Sequence, residues 1–441
     1  MTHNGGPAGS GRARTGTVLS VGMLARVEGE GGMHVEIHDG QVTSVALNIF
    51  EPPRFFEAFL RGRAWTEPPD LTARICGICP VAYQTASCAA IESICGVEVG
   101  EPIRLMRRLL YCGEWIESHA LHIYLLHAPD FLGYESAIEL AADHRDVVER
   151  GLRLKKAGNE LMAAVGGRAV HPVNVKVGGF YRMPTLAELH AVRPQLVQAL
   201  DDALETVRMA AGFDIPDFEQ PYTYLALRSP HGYAIESGVP VTSTGATFAV
   251  ADFPRHITEE HVARSNALHA RLDGQTYAVG PLARYSLNHD QLSAVSRQAA
   301  DEAGLGSVCR NPFRSIVVRA VELVYAVEEA LRIIDGWQDG HPPSVAVQPR
   351  AGEGCGASEA PRGTIFHRYA LDAEGLITDA QIVPPTSQNQ RSIEADLATV
   401  AQSWVDLDDE ALTRRCEQAI RNYDPCISCA THFLDLRVSR S

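Results

Sequence analysis

Two cysteine pairs near opposite ends of the chain constrain its fold more than any other feature. Arg74-Ile75-Cys76-Gly77-Ile78-Cys79-Pro80 is the first, and Asp424-Pro425-Cys426-Ile427-Ser428-Cys429-Ala430-Thr431-His432 is the second. Within each pair the thiols stand three residues apart, so a turn or a helix start can aim both at one ion. Four thiolates from two such pairs make a soft, tetrahedral sulfur site suited to zinc, iron–sulfur or nickel. A structural zinc ribbon closes over roughly 15–20 residues. Here nearly the whole chain lies between the clamps, so a folded domain must bring them together. That favours a buried cofactor over a local staple.

The remaining composition narrows the class. Of 441 residues, 45% are hydrophobic, enough for a large core. Lys plus Arg number 39 against 54 Asp plus Glu, a net charge of −15. That balance argues against nucleic acid and anionic membranes as main partners. No apolar run approaches a membrane span, so a soluble protein is expected. Residues 1–16 are rich in Gly, Ser, Thr and Arg and lack an apolar segment; they read as a disordered tail, not a signal peptide. Without an export signal the ten cysteines read as reduced, cytoplasmic thiols and not as a disulfide framework.

Patterning predicts a mainly α chain with small β elements, an α+β protein built on a large helical-bundle core. Residues 17–50 alternate around Asp39-Gly40 as a small β element. Helical spacing follows over 54–60, 82–94, 103–127, 134–165 and 185–211. Residues 213–280, rich in Pro, Gly, Thr and Tyr, read as an irregular or β-containing insertion. Helix returns over 288–303 and 315–337. Cys355 to Gly363 reads as a loop entering a hairpin of 364–371 and 376–383, and helices over 392–404 and 409–423 lead to the second cysteine pair. There is no repeat and no linker after Thr17, so residues 17–432 are expected to form one domain. His119 and His122, one turn apart, read as core or network histidines, because a third metal ligand is not identifiable. Gly352-X-Gly354-X-Gly356 lacks the strand–turn–helix context of a nucleotide fingerprint and reads as part of an active-site loop. Glu28, taken by itself, reads as a surface carboxylate.

Taken with their flanks, the cysteine pairs resemble those of the large, catalytic subunit of nickel–iron hydrogenases. Arg-X-Cys-Gly-X-Cys and Asp-Pro-Cys-X-X-Cys-X-X-His carry the resemblance. Arg26-Val27-Glu28-Gly29, the helix bearing Glu57, Glu359-Ala360-Pro361-Arg362-Gly363 and Val383-Pro384-Pro385-Thr386 extend it in the same order over nearly the whole chain. It implies nickel held by Cys76, Cys79, Cys426 and Cys429, with Cys79 and Cys429 bridging to an iron that carries cyanide and carbon monoxide. Heterolytic splitting of H2 needs a hydride acceptor, which the metals provide, and a nearby base, which a terminal thiolate such as Cys426 provides. Glu28 then matches the proton-transfer glutamate, and Arg362 the arginine over the open metal face. Arg362 could equally pair with Asp424, and both can hold. Pro361 and Thr386 match the surroundings of the cyanides. Glu57, His432 and a backbone carbonyl near Ile382 match the ligands of a second ion, Mg²⁺ or Fe²⁺.

The same resemblance implies partners. No other cysteines have an iron–sulfur spacing, so an Fe–S small subunit must take the electrons, with flavin- and NAD(P)-binding diaphorase subunits beyond it. Cys-Gly-Ile-Cys-Pro-Val-Ala-Tyr-Gln looks like the cytosolic, multisubunit, NAD(P)-linked group. A maturation endopeptidase would remove residues 433–441 after nickel insertion. Two departures stand out: Tyr83 where many members have histidine, and Ser118 where some have aspartate. The rival readings are an H2-sensing hydrogenase-like protein, a non-enzymatic Cys₄ zinc protein and a quinone-reductase core subunit. Four intact cysteines argue against the last.

Overall fold

In the computed structural model, residues 16–431 are described. The tail read over 1–16, apart from Gly16, and His432 with the segment after it lie outside the described residues. The chain begins with an antiparallel meander of Thr17–Val21, Gly31–His38 and Gln41–Ile49, in that order. Its inner face carries Met33, Val35, Ile37 and Leu47, which pack on the C-terminal helices Pro385–Ser403 and Asp409–Arg421. Alternation at period two explains the strands, and burial of one face explains why they hold register.

Four long helices, Glu101–Leu121, Arg145–Gly166, Leu186–Ala211 and Ser315–Gly336, form the main core. Ser315–Gly336 is buried on all sides over its first three turns, where Arg319 and Glu322 are fully buried, and it carries its other charges, Glu328, Glu329, Arg332 and Asp335, towards its end. Leu186–Ala211 starts with a reciprocal cap between Thr185 and Glu188. The helix read over 103–127 passes at His122 into a wider π-helical turn, His122–His127. The one read over 134–165 breaks at His144 into Ala137–Asp143, whose start Ser136 caps, and Arg145–Gly166. Of the helix read over 288–303 only Ala294–Glu302 is α-helical, started by the Ser293 hydroxyl, which accepts from Ser296 N–H; a separate helix, Pro281–Asn288, ends where that range begins. Between 213 and 280 lie two hairpins, Leu225–Arg228 with Val239–Thr242 and Ile257–His261 with Leu268–Leu272.

The loop read at Cys355 to Gly363 is instead mostly a strand. Gly352–Ala360 pairs with Gly363–Leu371, which pairs with Ile377–Val383. The glycine series is a packing surface: a Cβ on Gly354 would stand 2.7 Å from the Ala90 carbonyl oxygen, and one on Gly356 2.2 Å from that of Ala86. Bare backbone lets this strand lie directly on the Pro80–Cys95 helix. The register pairs Ala360 with Gly363, so Pro361 and Arg362 form the tip of a two-residue turn.

A four-thiolate site between the chain ends

The first cysteine segment runs from a short 3₁₀ turn, Ala73–Ile75, into the Pro80–Cys95 helix, with Cys79 at its N-cap. Pro80 at the first helical position lacks the donor that would be orphaned there. The buried Glu114 carboxylate accepts from Val81 N–H at 2.6 Å and Ala82 N–H at 3.2 Å, satisfying two further donors of that helix start. In the second segment Cys426 caps a single turn, Ile427–Ala430, that carries Cys429. Asp424 just before it sits in the left-handed region at φ 51°, uncommon outside glycine and affordable only because both sides of the segment are anchored.

All four sulfurs are buried and lie within 4.8 Å of one another, the only such His, Cys, Asp and Glu group among the described residues. Cys76 and Cys426 Sγ are 3.4 Å apart, Cys79 and Cys429 3.7 Å, and Cys426 and Cys429 2.7 Å. Hydrogen bonds from the Cys426, Cys429 and Cys79 sulfurs hold Cys76 well below the usual thiol range, while burial pushes Cys426 well above it. Four sulfurs crowded like this cannot all shed their protons without a cation between them. The donor set therefore fits a soft metal centre, and nickel–iron is within its range.

Glu28, Arg362 and Thr386 lie against the same cluster. Glu28 Oε2 accepts from Cys426 Sγ at 3.1 Å and from Ser428 N–H at 3.0 Å, and its carbonyl accepts from Ile427 N–H at 3.0 Å. Its carboxyl is raised, chiefly by burial. Half-buried beside a thiol, it is not a surface carboxylate. Arg362 is fully committed on one side: Nε donates to the Asp424 carbonyl at 2.8 Å and Nη2 to its carboxylate at 3.1 Å. Its Nη1 is buried with no hydrogen-bond partner, and the guanidinium is within electrostatic range of Cys426, Cys79 and Cys76. Arg284 holds the turn from beneath, donating to the carbonyls of Ala360 and Pro361 and pairing with Glu322 and Glu359. Thr386 Oγ1 accepts from Cys426 N–H at 2.9 Å, which leaves its own hydrogen to donate. Glu57 Oε1 accepts from Ile382 N–H at 2.7 Å, which places this carboxylate at the Ile382 backbone. His432 lies outside the described residues.

His119 and His122 belong to the polar network below the site. His119 Nε2 is 3.1 Å from Glu322, and burial lowers its pKa to about 4; His122 Nε2 is 2.8 Å from the Arg421 carbonyl. Tyr83, fully buried, faces Cys429 and Cys79, and burial drives its phenol well above the ordinary range. Ser118 Oγ is buried without a partner.

Several residues at the site carried no sequence signal. Arg54 Nη2 donates both to the Ile75 carbonyl at 2.5 Å and to the Ser428 carbonyl at 2.7 Å, so one guanidinium ties the two cysteine segments together. Glu51 Oε1 accepts from the Ser428 hydroxyl at 2.7 Å. Gly29, at φ 89°, leaves room for both: a Cβ there would meet Glu51 Oε2 at 2.4 Å and Ile427 Cβ at 2.7 Å.

A family model for nickel-dependent hydrogenase matches residues 54–152 and 254–432. The chain is 34% identical over 424 residues to sulfhydrogenase 1 subunit alpha of Pyrococcus furiosus, covering 95% of this chain and 98% of that protein. To sulfhydrogenase 2 subunit alpha of the same organism it is 31% identical over 425 residues, 95% of this chain and 100% of that one. Among solved structures it is similar to an NAD+-reducing nickel–iron hydrogenase in the H2-reduced state. The TM-score there is 0.84 at 27% identity, over 94% of this chain and 99% of the other. No helix of the described residues is long and apolar enough to cross a membrane.

Proposed function

The chain belongs to the nickel-dependent hydrogenase family, as a large subunit of the nickel–iron type, and from that premise we propose how its own residues serve the splitting of H2. Cys76, Cys79, Cys426 and Cys429 would hold a nickel–iron centre whose iron bears cyanide and carbon monoxide. When bound, this centre supplies the two-electron acceptor for heterolytic cleavage. The observation that carries the reading is the single pocket of four buried sulfurs, two from each end of the chain, with a carboxylate against one of them.

The chain supplies the rest. Cys426 takes the proton and Glu28, at 3.1 Å, accepts it. Arg362, anchored through Asp424, presents one unpaired N–H prong as a fixed positive group for H2. Thr386 keeps a hydroxyl hydrogen for an anionic ligand such as cyanide, and Pro361 lies on the turn that carries Arg362. Glu57, the Ile382 backbone and His432 would hold Mg²⁺ or Fe²⁺, a hard ion that keeps several waters. Electrons would pass to an Fe–S small subunit and on to flavin- and NAD(P)-binding diaphorase subunits, a reading supported by the likeness to an NAD+-reducing enzyme. A cytoplasmic location fits cysteines that form no disulfide among the described residues. Residues 433–441 would be cut off by a maturation endopeptidase once nickel is in place, with 17–432 acting as one domain.

Metal analysis of the complex purified with its partner subunits tests the assignment. Nickel with iron is the expected result, and zinc alone overturns it. In Cys429→Ala, normal nickel content with full H2 oxidation would also overturn it. Glu28→Gln should retain nickel and lose H2/D2O exchange; unchanged exchange would remove Glu28 from the proton path.

A further inference from the structure

Resting on that reading of Glu28, we propose that Ser428 and Glu51 carry the proton one station further, as a relay within this chain. Ser428 touches both carboxylates. Its amide N–H donates to Glu28 Oε2 at 3.0 Å, and its hydroxyl donates to Glu51 Oε1 at 2.7 Å. One residue therefore bridges the carboxyl that faces Cys426 and a second, half-buried carboxyl at the end of the first β-meander.

The carboxylate of Glu51 is held in place from both sides. Oε2 accepts from Glu30 N–H at 3.2 Å, and the bare backbone of Gly29 gives it the space that any side chain there would fill. The Arg54 hydrogen bond to the Ser428 carbonyl fixes the remaining polar group of the bridging residue. A hydroxyl is the group this position needs, since it can accept one proton and release another without becoming charged. Protonated Glu28, held beside Ser428 by that residue's amide, passes its proton to Ser428 Oγ through one water. Ser428 gives its own hydroxyl proton to Glu51, and Glu51 releases it to solvent or to a solvent-linked base. At the end Glu28 is a carboxylate again and Ser428 a neutral hydroxyl, with no electron moved.

The test uses the assembled hydrogenase carrying Ser428→Ala, Glu51→Gln or Ser428→Thr. Three readouts are compared: nickel and iron content, para/ortho-H2 conversion, which splits H2 without releasing its proton to solvent, and H2/D2O exchange, which requires release. For Ser428→Ala and Glu51→Gln the expected result is full metal content and retained conversion, with exchange slowed at least about tenfold, the low end of a lost proton-transfer group. Ser428→Thr, which restores the hydroxyl, should recover exchange. Unchanged exchange in loaded Glu51→Gln overturns the relay, as does a loaded Ser428→Thr variant as slow as Ser428→Ala. If Ser428→Ala fails to load nickel, Glu51→Gln, which removes no atom from the cysteine segment, decides alone. Blocked exchange in Glu28→Gln beside normal exchange in both other variants would overturn this inference only, whereas normal exchange in Glu28→Gln would overturn the reading beneath it.

Discussion

Arg362 and Asp424 form a buried pair that joins the tip of a β-turn to the segment leading into the second cysteine pair. The arginine spends Nε and Nη2 on this one residue, through its carbonyl and its carboxylate, and keeps Nη1 unpaired. Pairing with Asp424 therefore uses one edge of the guanidinium and leaves Nη1 available, within electrostatic range of the thiols of Cys426, Cys79 and Cys76, so the two readings of this arginine do not compete.

A lysine at this position keeps the charge and loses the fork. Arg362→Lys is expected to retain nickel and iron and to lower H2 oxidation by roughly 10² or more, the scale of one lost electrostatic group. Metal content measured beside turnover checks it; an Arg362→Lys enzyme with near-normal turnover removes the guanidinium from the chemistry.

The strand-on-helix contact sets a second expectation. A methyl on Gly356 would stand 2.2 Å from the Ala86 carbonyl oxygen, which is backbone and cannot rotate away. Gly356→Ala should cost about 1–3 kcal/mol or more, as overpacking does. Because Ala86 lies on the helix that starts at Cys79, nickel loading should fall along with the thermal midpoint. An alanine variant that loads and melts like the parent would show that the sheet can shift without moving the thiols.

Asp396 gives a pH dependence. It is buried, accepts from the hydroxyls of Tyr222 and Tyr423, and burial raises its pKa to about 7. A carboxyl raised on folding holds its proton in the native state where the unfolded chain, at about 4, has lost it. Its contribution is fully present below about 4 and is lost as pH rises towards about 7. Asp396→Asn should flatten the fall in stability across that window, read as the urea midpoint against pH. A slope identical to the parent's would place the titration elsewhere.

Clamping by Arg54 should matter for assembly more than for chemistry. Arg54→Ala unties the Ile75 and Ser428 carbonyls and should release nickel faster to a chelator. Turnover per nickel bound is expected to stay near normal. A variant with parental nickel retention would show that the remaining contacts hold the segments closed.

Intact mass of the active subunit tests maturation. A species ending at His432 is the expected result; a nickel-loaded, fully active subunit that still ends at Ser441 refutes the cleavage.

The sequence by itself determined which chemistry the chain could host. Cysteine pairs at three-residue spacing, with Glu28, Arg362 and Thr386 in recognisable local contexts, are short-range patterns, and such patterns are readable without coordinates. Periodicity likewise marked the long helices, because an apolar stripe repeats within a few residues. What tertiary structure alone decided are the contacts between segments far apart in the chain. Cys76 and Cys426 stand 350 positions apart, and their meeting depends on the whole core between them. Strand character at Gly352–Ala360 was illegible because its residues are small and do not alternate; it exists because glycine lets that backbone lie on a helix from the other half of the chain. Arg54, Glu51, Ser428 and Glu114 had no signature of their own. Ordinary polar residues become part of the site only where folding removes water and sets specific partners within hydrogen-bond reach.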